Sequence, residues 1–269
     1  MNFNTDLIKE LRKKTGVGIL QCKKALLFNK GDIEKSIDYL RIQGISKSQK
    51  INSRSTLEGI VLIKKKNSCS TILEINCETD FVSRNEEFNI FSNDVINFII
   101  DNKISDIKKV QDFFETKRIN LVSKFGENII IQRCYTMENL NTVFYLHNFR
   151  IGVIVAVTNN SYIANKKFIK NIAMHIAASN PKYISVSDIP PAVINREYDI
   201  QFQLTKKLNK NTVQESHIIK GKMDKFINEI SLVNQPFIFN TSKTVKEVLE
   251  EKNIKILSFI RYELGEKNN

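Results

Sequence analysis

Apolar residues recur at helical spacing through the first 45 positions. Leu7, Ile8 and Leu11 share one face, Cys22, Ala25 and Leu26 a second, and Ile33, Ile37 and Leu40 a third. Gly16 and Gly18 break the chain between the first two segments, Asp32 is placed to cap the third, and Gly44 reads as its end. The pattern predicts a compact three-helix unit over 1–45. Its core is thin, so the unit is expected to depend partly on docking to something else. A polar stretch over 46–55, Ser46 to Ser55, reads as a flexible linker.

Beyond it the period changes. Gly59 to Lys65 and Thr71 to Cys77 alternate or run apolar around Asn67-Ser68, which predicts a β-hairpin. Asn85 can cap a following helix, Glu86 and Glu87 suit its positive end, and Phe88, Phe91, Val95, Ile96 and Ile99 form its buried face. A helix over Ile107–Lys124 then leads through Gly126 to a strand over Asn128–Tyr135. The same order recurs later: a hairpin from Thr142–His147 and Arg150–Val157, a helix over Lys166–Ser179, a helix over Val245–Lys252 and a strand over Lys255–Glu263. This repetition predicts an internal duplication, with core subdomains over 56–140 and 141–269. One segment interrupts the second copy. After Pro190-Pro191, two charged helical stretches, 192–209 and 213–230, flank Asn209-Lys210-Asn211 and predict a helical hairpin inserted at about 190–230. Val193, Tyr198, Phe202 and Leu204 on one arm, with Ile218, Met223, Phe226 and Ile227 on the other, are the expected seam. The fold class expected is α+β.

The net charge of +12 raises a nucleic-acid reading, because clustered cations gain affinity by releasing counterions. Here the cations are spread along the chain, with only short runs at Lys64–Lys66 and Lys206-Lys207, and a solvated surface accounts for them better. No specific nucleic-acid partner is expected. No stretch approaches the ~18 to 20 uncharged residues that span a bilayer, and the first residues lack a secretory pattern, so no membrane is expected and a cytoplasmic location is. Cys22, Cys69, Cys77 and Cys134 have no C-x-x-C spacing and read as small apolar residues.

Candidate chemistry is sparse. The chain has no G-x-x-x-x-G-K-[ST] or G-x-G-x-x-G phosphate loop, no H-E-x-x-H set and no G-x-S-x-G nucleophile turn. His175 lies among Ala173, Met174, Ile176 and Ala177, as a packed helical histidine would, and His217 reads as solvated. No catalytic residue, metal ligand or cofactor is assigned. The most informative segment is Glu74-Ile75-Asn76-Cys77-Glu78-Thr79-Asp80-Phe81-Val82-Ser83-Arg84, where an apolar strand ends in an acidic, hydroxylic turn. In one reading Phe81 packs into the local core while Asp80 caps a turn. In the other, Phe81 is an aromatic wedge beside a carboxylate, offered to a partner as a binding hot spot.

This segment resembles a signature of the elongation factor Ts family over its whole length. A second resemblance runs from Leu11 through Thr15-Gly16-Val17-Gly18-Ile19-Leu20-Gln21-Cys22-Lys23-Lys24-Ala25 to Leu26, with Gln21 where an acidic residue is usual. Ile151-Gly152-Val153, Ala173 to Ser179 and Gln235-Pro236-Phe237 extend it across nearly the whole chain. The resemblance implies an N-terminal ubiquitin-associated-like helical domain, a duplicated α+β core and a helical-hairpin insertion. It also implies a guanine-nucleotide exchange factor, with no catalytic chemistry of its own, that binds elongation factor Tu in GDP-bound and nucleotide-free forms. By the same resemblance Thr79, Asp80, Phe81 and Val82 press on the partner near its magnesium site, and Arg12, Ile19, Leu20, Lys23 and His147 make further contacts. Ordinary helix packing is an equal reading for Ile19 and Leu20. The chain ends earlier than many members, so a C-terminal helix that adds contacts elsewhere is expected to be missing. A homodimer is compatible with the sequence. Rival readings are a basic RNA-binding or ribosome-associated protein, which would need an RNP-type aromatic motif or G-x-x-G clamp not found here, and an enzyme of unassigned type.

Overall fold

The structure, a computed structural model, describes residues 5–139, 141–158, 162–206 and 212–266, with the backbone alone described for 45–50, 162–164 and 212–213. Helices α1 (Thr5–Thr15), α2 (Ile19–Phe28) and α3 (Ile33–Ile51) open the chain. Leu11, Val17, Cys22, Ala25, Leu26 and Leu40 meet between them in a small apolar cluster. Gly16 takes φ of 69° just beyond α1, and the Asp32 carboxylate accepts a bond from the Lys35 N–H at 3.0 Å as α3 begins.

Helix α3 does not stop at Gly44. It continues to Ile51, so the expected linker over 46–55 is helical for most of its length. Gly44 is buried, and a Cβ there would lie 3.3 Å from the Ser123 side chain. The residue read as a terminator is therefore a close-approach glycine in mid-helix, where the missing side chain lets another helix come near.

Strands β1 (Glu58–Lys66) and β2 (Cys69–Cys77) form an antiparallel hairpin, with Asn67 at φ of 54° in its turn. A one-turn helix α4 (Asp80–Ser83), then α5 (Glu86–Asn102) and α6 (Ile107–Phe125), precede β3 (Ile129–Glu138), which pairs antiparallel with the other side of β2. Every residue of the central strand β2 is buried. Phe88 and Ile99 of α5 and Val110 and Phe114 of α6 pack with Ile75 and Ile131 in the core over this sheet. Asn85 caps α5 by accepting from the Glu87 N–H at 2.9 Å, and Gly126 ends α6 in the left-handed conformation. At Gly59, φ is 139° and a Cβ would meet the Ile75 carbonyl oxygen at 2.1 Å, so only glycine fits the hairpin there. The buried Glu74 carboxylate of β2 accepts from Arg133 Nε of β3 at 2.6 Å and from the Gly265 N–H at 2.9 Å. The Arg133 guanidinium also lies 4.1 Å from the centre of the Tyr262 ring.

A second sheet has the order β4 (Thr142–His147), β5 (Ile151–Val157), β8 (Ile256–Glu263). Between β5 and β8 come α7 (Tyr162–Ser179), α8 (Pro191–Lys206), α9 (Thr212–Ile230), a short ribbon of β6 (Pro236–Phe237) and β7 (Asn240–Thr244), and α10 (Val245–Glu251). The ribbon has no counterpart in the sequence expectation, since its first strand is two residues long. Helix α10 opens with a reciprocal capping box between Thr244 and Glu247.

Helices α8 and α9 pack on one another, but the expected seam is partly wrong. Tyr198, Phe202 and Leu204 are exposed, while Thr205, Ile219 and Met223 are buried. Helix α8 carries apolar groups on two sides and a single partner helix covers only one. The track through Glu197, Gln201 and Thr205 is the more buried side, and Tyr198 stacks along the outside on Phe202 at 6.3 Å. The expected turn Asn209-Lys210-Asn211, Lys207 and the tail Lys267–Asn269 lie outside the described residues.

The architecture is α+β. The described residues form two compact units, one within 1–138, 148–151 and 262–269 and the other within 139–147 and 152–261. No helix among the described residues is long and apolar enough to cross a membrane.

Candidate functional site

The turn after β2 is built from two neighbouring loops that hold each other. Strand β2 ends at Cys77, and Gly126 brings the chain out of α6 so that Glu127 and Asn128 precede β3. Glu78 Oε1 accepts from the Asn128 N–H at 2.7 Å. In the opposite sense, Glu127 accepts from the Thr79 N–H at 3.0 Å and from Thr79 Oγ1 at 2.7 Å. The Asn128 side-chain amide donates to the carbonyls of Asn52 and Arg54, each at 3.1 Å, which brings the end of α3 into the same assembly.

Thr79 stands at the N-cap of α4 yet its side chain makes no cap bond, because the hydroxyl is directed to Glu127. The Cys77 thiol donates to the Thr79 carbonyl at 3.1 Å. Burial, reinforced by the charges of Glu127 and Glu58, pushes this thiol up to about 12, so it remains protonated and able to donate. One helical turn then separates two apolar neighbours. Successive residues of a helix point roughly 100° apart. Val82 turns inward at 6% exposure and joins the core, while Phe81 stands out at 84%. The reading in which Phe81 packs locally does not hold. Val82, expected beside it in partner contact, is the buried anchor of the turn. Asp80 pairs with Arg84 at 3.1 Å on the surface, where such a pair adds little stability.

The other expected contact residues lie elsewhere. On the three-helix module, Ile19 and Leu20 are 53% and 75% exposed at the start of α2, and Arg12 and Lys23 are exposed as well. The buried face of α2 is Cys22, Ala25 and Leu26, so helix packing does not account for Ile19 and Leu20. In the second unit His147 is exposed at the end of β4, with Nδ1 2.9 Å from the Tyr145 hydroxyl. Sequence reasoning passed over Glu127, whose only signal was an acid between a helix-ending glycine and an Ile-rich strand.

His175 is fully buried. Its Nε2 lies 2.8 Å from Gln235 Oε1, and Nδ1 accepts from the Ile238 N–H at 3.3 Å, so both ring nitrogens have protein partners. Among the described residues no group of three or more His, Cys, Asp or Glu is placed to hold a metal ion.

The family model described as "Elongation factor TS" matches residues 78–266. Relatives named Elongation factor Ts include those of Buchnera aphidicola subsp. Acyrthosiphon pisum (strain APS), 46% identical over 265 residues, covering 98% of this chain and 97% of the relative. That of Baumannia cicadellinicola subsp. Homalodisca coagulata is 44% identical over 266 residues, covering 98% and 94%. That of Photorhabdus laumondii subsp. laumondii is 43% identical over 262 residues, covering 97% and 91%. With the family model spanning more than half of the chain and such relatives aligned over nearly all of it, the chain belongs to the elongation factor Ts family of translation elongation factors.

Proposed function

We propose that the protein is a guanine-nucleotide exchange factor that binds GDP-bound elongation factor Tu and promotes GDP release in translation elongation. The observation that carries this reading is the exposed Phe81 ring on a turn held by backbone and carboxylate bonds. A large apolar ring in water contributes nothing to its own fold, and a ring fixed in place loses little freedom when a partner covers it. Phe81 is the wedge, with Asp80 beside it as the carboxylate. Thr79 and Val82 set the wedge's direction from beneath. Arg12, Ile19, Leu20, Lys23 and His147 are the further contacts.

The mechanism is linkage. If the protein binds nucleotide-free partner more tightly than GDP-bound partner, GDP binds the complex more weakly by the same factor. Pressure near the partner's magnesium site weakens charge compensation of the diphosphate, which supplies the difference between the two states. The protein itself makes and breaks no covalent bond and needs no cofactor. The architecture suited to this is a ubiquitin-associated-like three-helix module, a duplicated core and the α8–α9 hairpin as an insertion, acting in the cytoplasm.

Release of a fluorescent GDP analogue from elongation factor Tu, with wild-type protein and with Phe81→Ala, tests the wedge. Truncating an aromatic hot spot costs roughly 2 kcal/mol or more, so exchange efficiency is expected to fall about thirtyfold or more. Thermal stability stays near wild type, because the ring is exposed. Equal exchange by folded Phe81→Ala would remove the wedge from the account.

A further inference from the structure

We propose that Glu127 is a positioning residue for the Phe81 turn: its carboxylate, bonded to the N–H and the hydroxyl of Thr79, sets the direction in which the aromatic ring is presented. The inference rests on the exchange-factor reading. It goes beyond it by assigning the aim of the wedge to a residue 46 positions away along the chain (127 − 81), which lies on a different loop.

The physical case starts from what Phe81 lacks. At 84% exposure its ring has almost no packing of its own to fix it, so its orientation must come from the backbone it stands on. That backbone is held two residues upstream. Glu127 receives the Thr79 N–H at 3.0 Å and the Thr79 hydroxyl at 2.7 Å, a two-pronged bond to one residue by one carboxylate. Bonds to an ionised acceptor are stronger than neutral ones. The Thr79 carbonyl is taken at the same time by the Cys77 thiol at 3.1 Å and the Ser83 N–H at 3.3 Å. Thr79 therefore has no polar group left to reorient.

The cost of this arrangement shows that it is a directed one. A threonine at an N-cap ordinarily turns its hydroxyl onto a backbone N–H of its own helix. Thr79 forgoes that bond for Glu127. The reciprocal bond from the Asn128 N–H to Glu78 at 2.7 Å keeps the Glu127 loop in register with the turn, so the carboxylate cannot drift while holding Thr79. A site group held to the required geometry needs this kind of support from its neighbours.

The test uses the full chain with para-fluorophenylalanine placed at position 81, read by fluorine NMR, beside GDP-analogue release from elongation factor Tu. Glu127→Ala removes both bonds. Glu127→Gln can keep both, its oxygen accepting from the Thr79 N–H and its amide donating to the hydroxyl. Thr79→Val removes only the hydroxyl bond. The proposal expects Glu127→Ala to shift or broaden the fluorine resonance and to lower exchange by roughly tenfold. Glu127→Gln restores most of both readouts, and Thr79→Val adds little in the Glu127→Ala background. A merely structural role would move thermal stability without the fluorine signal of folded protein. An unchanged resonance in Glu127→Ala, or additive losses with Thr79→Val, overturns the proposal. If Glu127→Ala fails to fold, Thr79→Val against wild type tests the hydroxyl half of the bond, with an unchanged resonance counting against the proposal. Should wild-type protein fail to release GDP, the exchange reading falls, while the fluorine comparison still decides whether Glu127 aims the ring.

Discussion

Phe81 and Val82 are adjacent, both apolar, and have opposite fates. Their sequence context, an acidic turn ahead of a helix, fits either burial or display for each of them. What separates them is the one-turn helix α4, which turns Val82 to the core and Phe81 to water. A four-residue helix leaves no periodic signal long enough to read, so the direction of the ring was not legible before the structure. His175 was legible, because small apolar neighbours on a helix predicted a packed imidazole. Burial lowers the pKa of that imidazole, and the Gln235 bond opposes the shift only in part. The unfolded state therefore binds more protons in the window between the lowered folded value and the ordinary value of about 6.5. Stability from neutral His175 is complete above about pH 6.5 and is lost as pH falls through the folded value. Denaturant unfolding at about pH 7.5 and about pH 5.5 is expected to show wild type losing stability on acidification and His175→Gln losing less. Equal losses would mean that this ring does not carry the dependence.

Elements were read well where their period was long and their ends had chemistry. Asn85 caps α5 through its side chain, as its place before Glu86 and Glu87 predicts, and the alternation of β1 and β2 set a hairpin whose turn residue Asn67 has positive φ. The failures share a cause, which is contact between segments distant in sequence. A glycine after an apolar stripe usually ends a helix, whereas Gly44 allows close approach to Ser123 within one. Apolar residues at helical spacing usually face a partner, but the aromatic row of α8 faces outward. Glu74 was read only as one residue of an acidic signature, and its partner Arg133 is 59 residues away. This pair links β2 and β3 with both side chains largely withdrawn from water. Arg133→Met would leave the Glu74 carboxylate buried without a countercharge, and the expected loss is about 3 to 5 kcal/mol in urea unfolding. Adding Glu74→Gln to that variant should recover a large part of it. A single-variant loss below about 1 kcal/mol would show that Glu74 is compensated by its other donors.

At the scale of the whole molecule, the α+β class and the order of the longer strands and helices were legible because each rests on local pattern, while the one-turn α4 and the β6–β7 ribbon are too short to leave one. The proposed partner rests on resemblance alone, since no periodicity or composition names a GTPase. The basic charge pointed elsewhere: +12 alone would favour a polyanion. Its cations are drawn partly into surface pairs such as Lys66 with Asp101 and Lys117 with Asp94, spread over different elements. The exposed apolar groups are the more specific feature. They include Phe81 on its braced turn and Ile19 and Leu20 on α2, places where the family resemblance expects contact and where burial in the fold does not explain the side chains. The central claim is that this chain lowers the barrier to GDP release without being consumed. Stopped-flow release of a fluorescent GDP analogue from elongation factor Tu into excess unlabelled GDP, which refills the emptied partner and frees the protein, with the protein present at a small fraction of the partner's concentration, measures that directly. Release of the whole bound population is expected, at a rate rising in proportion to added protein. Release unaltered by folded protein, or limited to one nucleotide per molecule added, would contradict it.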